Sequence, residues 1–426
     1  MKLSQSLISR FNHPNTLVVI GSYPQKGTIH DKNKDALASF TKNRILGLQK
    51  ISTDKIIVIT HEDKDSSIEE EDNLLIIRCF KKNQPTSFAQ ITKILSKLNY
   101  TKDVLIEFEF STFGGDLTTL AFIPFLISLR SLNKNVTIEL HQVLTRIEDL
   151  RGHLGYKKDS LKAKLFNPAL TSFYRSIGIL SHRIIVLEGH LKERLSAFIP
   201  AEKIVVLPHG VQKISPKITQ IEAKKILGYS KDDFVVLSFG YLTWYKGSDL
   251  FVKAAEELSP HRNIKFVLAG GASHNQKHKF HYQKYFQKLI NSIKSIKNLK
   301  HSDFIDEKDI SLYYQAANLV VFPYRTFMSS SGPLSLSLSH QKPFILSRKL
   351  KPYLFSEDMN EALNSVDLIR DDLLFSTNSL SLAKKIQYLS KHPKTLTKLT
   401  VISKTIASER QYSKLAKIQK SILHSR

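Results

Sequence analysis

An α/β architecture of two similar halves is what the sequence predicts, and three observations carry it. Short apolar runs of strand length alternate with helix-length segments along most of the 426 residues. Several runs end in a glycine-bearing loop, as Leu17–Ile20 does at Gly21 and Phe234–Phe239 does at Gly240. Between these halves the stretch Gln212–Asp232 turns polar and carries Pro216, which marks a domain boundary. Strand then helix, repeated, gives a parallel sheet covered on both faces, and such sheets bind ligands off the carboxyl ends of their strands. A chain of this length can bury more than one core.

In the first half, Leu17–Ile20 reads as a buried strand running into the loop Gly21–Thr28, where small residues such as Gly27 let backbone amides approach a phosphate. A helical pattern follows from Ala36 to Leu48. Lys55–Thr60 and Asn73–Cys79 are strands, and the acidic Glu62–Asp72 between them reads as a solvated loop. Val104–Phe110 is a strand delivering Glu109, and Val136–Leu140 is a strand delivering His141. Both side chains therefore sit where an open sheet places its ligand. The alternative is that each bonds only to a neighbouring side chain or loop. Leu117–Leu132 is a helix interrupted by Pro124. Arg146–Phe166 is polar and basic and reads as a loop or short helices. Leu170–Leu180 is helical, and Arg183–Leu187 and Ile204–Leu207 complete the strands of this half.

The second half restarts at Phe234–Phe239, whose loop holds Lys246 before a helix from Asp249 to Leu258. A lysine at a helix N-terminus suits a diphosphate, because dipole, amides and ammonium all favour an anion. Lys265–Ala269 is the next strand, Lys277–Lys300 a basic helical region, and Asp306–Ala317 a helix with an acidic first turn. Leu319–Phe322 leads through Ser329-Ser330-Ser331-Gly332 to a Leu/Ser segment and a last apolar run, Pro343–Leu346. The alternation of Leu334, Leu336 and Leu338 with serines fits a strand face, but Pro333 just after Gly332 fits a helix start, and the segment is read as a helix with Ser331 or Gly332 near its cap. Leu368–Phe375 reads as irregular, and Leu380–Leu389 and Pro393–Leu415 as helices, with a basic terminal helix to Arg426.

Composition narrows the function. No segment holds the roughly 18 unbroken apolar residues of a membrane span, and the N-terminal stretch lacks a signal-peptide pattern. The one cysteine, Cys79, forms no internal disulfide, which fits a reducing cytosol. Lys and Arg number 63 against 38 Asp and Glu, a net +25, a field that draws anionic membrane surface, nucleic acid or phosphorylated ligands. The lysines are scattered rather than gathered, no aromatic-basic single-strand motif appears, and no strict GxGxxG follows the first strand.

Several stretches, taken in order, resemble the retaining GT-B glycosyltransferases of family 4: IVVLPHGV at Ile204–Val211, FGYLTWYKGSDLFVKA at Phe239–Ala254, FVLAGG at Phe266–Gly271, DISLYYQAANLVVFPYR at Asp309–Arg325 and SSSGPLSLSLSHQKPFILS at Ser329–Ser347. FEFSTFGG at Phe108–Gly115 and ELHQVL at Glu139–Leu144 resemble a bacterial subgroup with an SSSG-type donor loop. The resemblance implies two Rossmann-like domains facing a cleft. These would be an acceptor domain over residues 1–212, a nucleotide-sugar donor domain over 213–400, and a helix over 401–426 crossing back to the first. It implies sugar transfer with retention at the anomeric carbon, no metal and no cofactor beyond the nucleotide-sugar co-substrate. Gly27, Thr243, Lys246, Arg325, Ser330, Ser331, Gly332 and Leu334 would line the donor site, and His141 and Glu109 the reacting centre. The acceptor would be a glycan, a lipid-linked molecule or a small molecule, met in the cytoplasm or at the inner face of the membrane, with anionic lipid as a partner and nucleic acid not one.

Two departures from the family pattern stand out. Met328 and Leu336 occupy the positions of its usual glutamate pair, and Leu336 cannot accept a hydrogen bond from a ribose. Thr243 stands where an arginine would pair with the diphosphate. A non-catalytic nucleotide-sugar-binding partner subunit and a basic Rossmann-type nucleic-acid binder are the alternative readings.

Overall fold

The computed structural model describes residues 3–25, 36–62, 65–146, 161–274 and 276–424. The apolar runs become strands because each is buried on both faces, as parallel sheets require. Strands β1 (Leu17–Ile20), β2 (Ile56–His61), β3 (Ser67–Glu71), β4 (Leu74–Phe80), β5 (Asp103–Phe108), β6 (Asn135–Leu140), β7 (Arg183–Val186) and β8 (Ile204–Val206) form one sheet, in the order β3-β4-β2-β1-β5-β6-β7-β8. A second sheet holds β9 (Phe234–Phe239), β10 (Ile264–Ala269), β11 (Leu299–His301), β12 (Leu319–Phe322), β13 (Phe344–Ser347) and β14 (Leu374–Phe375), in the order β11-β10-β9-β12-β13-β14. Among the described residues every strand pairing is parallel except β3 with β4. The strand order reverses beside β1 in the first sheet and beside β9 in the second, so each sheet opens a crevice at its carboxyl edge.

Three expectations are corrected. The acidic stretch after β2 contains β3, an edge strand rather than only a solvated loop. Its carboxylates lie on the solvated edge, and Glu69 accepts from Arg78 at 2.6 Å. The basic region 277–300 is a helix only over Phe280–Ile293 and ends in β11, and part of 368–375 pairs as β14. The Leu/Ser segment is the expected helix, over Gly332–Ser339, capped by the Ser331 hydroxyl, which accepts from the Leu334 amide. The helix Leu161–Leu180 begins within the stretch read as loop or short helices, of which residues 147–160 lie outside the described residues, as does Gly27.

The helix Pro393–Glu409 packs within the second half, and the chain crosses back at Arg410 and Gln411. There the Val211 amide donates to the Arg410 carbonyl at 2.7 Å. The terminal helix Tyr412–His424 then lies on the helix Ala36–Gln49. Leu415, Ala416 and Ile422 pack with Val19, Ile45, Leu48 and Val58 of the first half. A second tie joins the halves beside the crossing: Ser335 Oγ donates to the Gly210 carbonyl at 2.5 Å.

Candidate functional site

The carboxyl edges of the two sheets face each other across a cleft of about 1230 Å³. Its first wall carries Asn83, Glu109, Gly115 and His141, and its second carries Tyr241, Thr243, Lys246, Tyr324 and the loop Ser329–Gly332. Glu109 is the one carboxylate among the described lining residues, against Lys82, Lys246 and Lys279, so the cleft suits an anionic ligand.

Lys246 owes its place to two glycines. Gly240 ends β9 with φ +114, and a Cβ there would meet the Lys246 amine at 2.8 Å. Gly247 caps the helix Ser248–Glu257 in the left-handed conformation, φ +71, and a Cβ would meet the Pro323 carbonyl at 2.0 Å. The amine is thus held against backbone at a helix N-terminus. Burial lowers its pKa to about 8, and among the described residues no carboxylate stands within ion-pair distance. Thr243 is buried, and its hydroxyl has no hydrogen-bond partner among the described residues.

Arg325 does not line this cleft. Its guanidinium makes a two-pronged contact with Asp249 (2.8 and 2.6 Å), donates to the Trp244 carbonyl at 2.7 Å and stacks on the Trp244 ring. Its amide donates to the Tyr245 carbonyl. Arg325 therefore braces the loop that carries Lys246. Leu334 also stands outside the lining: its side chain is buried in the core, and its amide is taken by Ser331.

In the serine loop, Ser331 Oγ also shares a hydrogen bond with the Tyr324 hydroxyl at 3.0 Å. Ser330 Oγ donates to Glu188 at 3.0 Å, a contact between the two halves. Gly332 opens on space: nothing lies within 4 Å of a Cβ built there. Across the cleft, His141 is 7% exposed at the end of β6, with the Phe40 ring edge-on at 4.7 Å. The next residues join the serine loop, since Gln142 bridges to Ser329. Glu109 receives the Ser111 hydroxyl on its carboxylate, while its amide donates to Thr112 Oγ1 at 3.0 Å.

Sequence reasoning missed Glu188. It lies just beyond β7, so the strand-end rule that picked out Glu109 and His141 applies to it equally. It is buried between Ser330 and Arg410 (3.7 Å), and burial raises its pKa to about 7 against the opposing pull of Arg410. Arg410 binds Asp358 through Nε and Nη2 (2.6 and 3.1 Å) and Ser356 at 3.0 Å. The serine loop is thereby tied to the point where the chain crosses back.

Residues 219–339 match the family model described as "Glycosyl transferases group 1". The α-galactosylglucosyldiacylglycerol synthase of Streptococcus pneumoniae is 32% identical over 106 residues, which is 24% of this chain and 27% of that protein's length. Across nearly the whole chain the fold resembles that of HepE from Anabaena, solved in complex with UDP, with TM-score 0.65, 15% identity and coverage of 97% of this chain and 100% of that one. Sucrose-phosphate synthase from Thermosynechococcus elongatus gives TM-score 0.69 at 13% identity, covering 96% and 98%. The architecture is GT-B, as the resemblance implied, and the stretch that matches the group 1 model lies in its second half.

Proposed function

We propose that this protein transfers a hexosyl group from a nucleoside-diphosphate sugar to an acceptor hydroxyl, with retention at the anomeric carbon. The observation that carries the reading is one juxtaposition inside the segment matching the group 1 model. The Lys246 amine and the N-terminus of the Gly332–Ser339 helix face the same cleft, opposite His141. Breaking the bond between anomeric carbon and diphosphate leaves negative charge on the leaving group, and an ammonium plus a helix N-terminus stabilise that charge. Lys246 supplies the first and the Gly332 amide the second. The open space at Gly332 lets the diphosphate approach the backbone. Ser330 and Ser331 shape the loop, Thr243 offers a hydroxyl to the diphosphate, and Arg325 and Leu334 act by holding loop and helix in place. His141 and Glu109 stand on the wall that would meet the transferred sugar and the incoming hydroxyl. HepE, a neighbour in fold, was solved with UDP, and another neighbour, described as trehalose-6-phosphate from E. coli, with UDP-2-fluoro glucose, which favours a nucleotide-sugar as donor. On this reading the donor lies against residues 213–400 and the acceptor against 1–212. No metal or further cofactor takes part, and the enzyme works in the cytoplasm, where its basic surface also meets anionic lipid.

The test is a panel of UDP-, GDP- and ADP-sugars, read by thermal shift and by release of the nucleoside diphosphate with an acceptor extract. One donor should raise Tm and be turned over, and the product should keep the donor's anomeric configuration. A panel in which no donor binds or turns over overturns the reading. Thr243 and Leu336, in place of an arginine and a carboxylate, favour a second reading, a nucleotide-sugar-binding partner subunit. That reading predicts binding without turnover, unaffected by His141→Ala.

A further inference from the structure

The helix Asp116–Ser131 is apolar on two opposite faces. Phe122, Phe125, Leu126 and Leu129 point into the core. Leu117, Leu120 and Ile127 lie on the other side and are 74%, 69% and 51% exposed, with Pro124 exposed among them. Positions 117, 120, 124 and 127 follow helical spacing, so they form one stripe about 15 Å long. A surface helix ordinarily turns polar residues outward, and an apolar stripe marks a surface that meets another phase or partner.

What covers the stripe follows from its neighbours. The stripe borders the cleft at Leu120, which lines it together with Phe110, Phe166, Ala169 and Phe173. Phe166 and Ala169 are themselves exposed, so the apolar surface is continuous from the outside to the wall opposite the serine loop. This apolar strip, beside the polar part of the wall at Asn83, Glu109 and His141, matches a hydrocarbon chain. The flanking charge is of one sign. The helices Asp116–Ser131 and Leu161–Leu180 carry the exposed Arg130 and Arg175, and no carboxylate stands among their residues with described side chains. Basic residues beside an exposed apolar stripe fit an anionic lipid leaflet.

Resting on the transfer reading above, we infer that the acceptor carries an apolar chain and is taken from an anionic lipid leaflet. The Leu117–Ile127 stripe is seated in that leaflet, and the chain runs past Leu120 and Phe166 into the cleft.

The test is flotation of the full chain with vesicles of phosphatidylcholine holding about 30% phosphatidylglycerol, against vesicles of phosphatidylcholine alone. The variant is L117E/I127E, neither of which lines the cleft. Wild type should float with the anionic vesicles about tenfold more than with neutral ones, and the variant should lose about tenfold of that binding while keeping its Tm and its thermal shift with donor. Labelled sugar, supplied with a membrane lipid extract, should move into the chloroform–methanol phase. Any of four results overturns the inference: wild type that stays off anionic vesicles, equal flotation with neutral ones, a variant that floats like wild type, or label confined to the aqueous phase. A variant that only breaks up an oligomer assigns the stripe to a second copy and overturns it too. If the charged pair does not fold, L117Q/I127Q is read the same way. Absence of any donor shift in wild type removes the transfer reading, while the vesicle result still decides the lipid face.

Discussion

Donor binding should depend on pH through Lys246. Burial against Gly240 holds its pKa near 8, and a diphosphate beside it would raise that value again. A nucleotide-sugar diphosphate does not titrate in this range, and Glu188 beside Ser330 titrates lower, near 7, so a change between pH 8 and 9 reports the amine. With a pKa of about 8 the free amine is almost fully charged at pH 7, half charged at pH 8 and about one-tenth charged at pH 9. If the charged form binds, affinity is flat below pH 7 and falls about tenfold between pH 7 and 9, or about 1.4 kcal/mol. Titration calorimetry with the donor found in the panel, repeated from pH 6 to 9.5, measures this. Lys246→Arg stays charged throughout and should lose the inflection. Lys246→Met should also be flat, and weaker by about 1.5–3 kcal/mol, the worth of a hydrogen bond to a charged group. Linkage adds a control on the free protein. The folded pKa is depressed below the ordinary 10.5, so the lysine's contribution to stability is present above that value and lost as pH falls through about 8. Ligand-free Lys246→Met should therefore gain Tm over wild type at pH 7, with the gain shrinking at high pH. An inflection that survives in Lys246→Met, or wild-type affinity in that variant, refutes the reasoning.

Other expectations follow from the same geometry. Glu188 has a folded pKa raised to about 7, so its contribution to stability is full below about 4.5 and lost as pH rises through 7. Glu188→Gln should remove that falling limb, worth about 3 kcal/mol at most, from thermal melts between pH 4.5 and 7.5; identical slopes would tell against it. Asp249→Ala leaves the Arg325 guanidinium without its carboxylate and should cost about 1–3 kcal/mol of stability in urea melts, along with weaker donor binding through the Lys246 loop. Gly332→Ala meets nothing, so Tm should be unchanged while donor affinity drops; Gly247→Ala meets the Pro323 carbonyl and should lower Tm by several degrees. His141→Ala should keep donor binding and lower kcat about a hundredfold, measured as nucleoside diphosphate release.

Strands were the most legible part of the chain. β1 and β12 coincide with their apolar runs because a strand buried on both faces is written as unbroken Val, Ile, Leu and Phe, and β9 follows the same rule over Phe234–Leu237. The edge strand β3 was hidden because SIEEE pairs on one side only, and its carboxylates read as loop. The Leu/Ser segment carried two periods at once, and the Ser331 cap with Pro333 behind it decided for helix.

Local sequence thus determined the alternation of strand and helix, the glycine loops and the residues delivered to strand ends, since each depends on neighbours a few positions away. Assembly decided what those residues do. Arg325 looked like a ligand in the loop after β12 and became a brace because Asp249, 76 positions earlier, meets it. Glu188, Ser330, Asp358 and Arg410 come from four distant stretches and converge only because the last helices cross back over the boundary. No periodicity records such a meeting, because it is fixed by how the two sheets pack rather than by any one segment. The outward stripe on Asp116–Ser131 is the same case. Its sequence reads as one apolar helix, and the packed structure alone decides which leucines enter the core and which are left facing out.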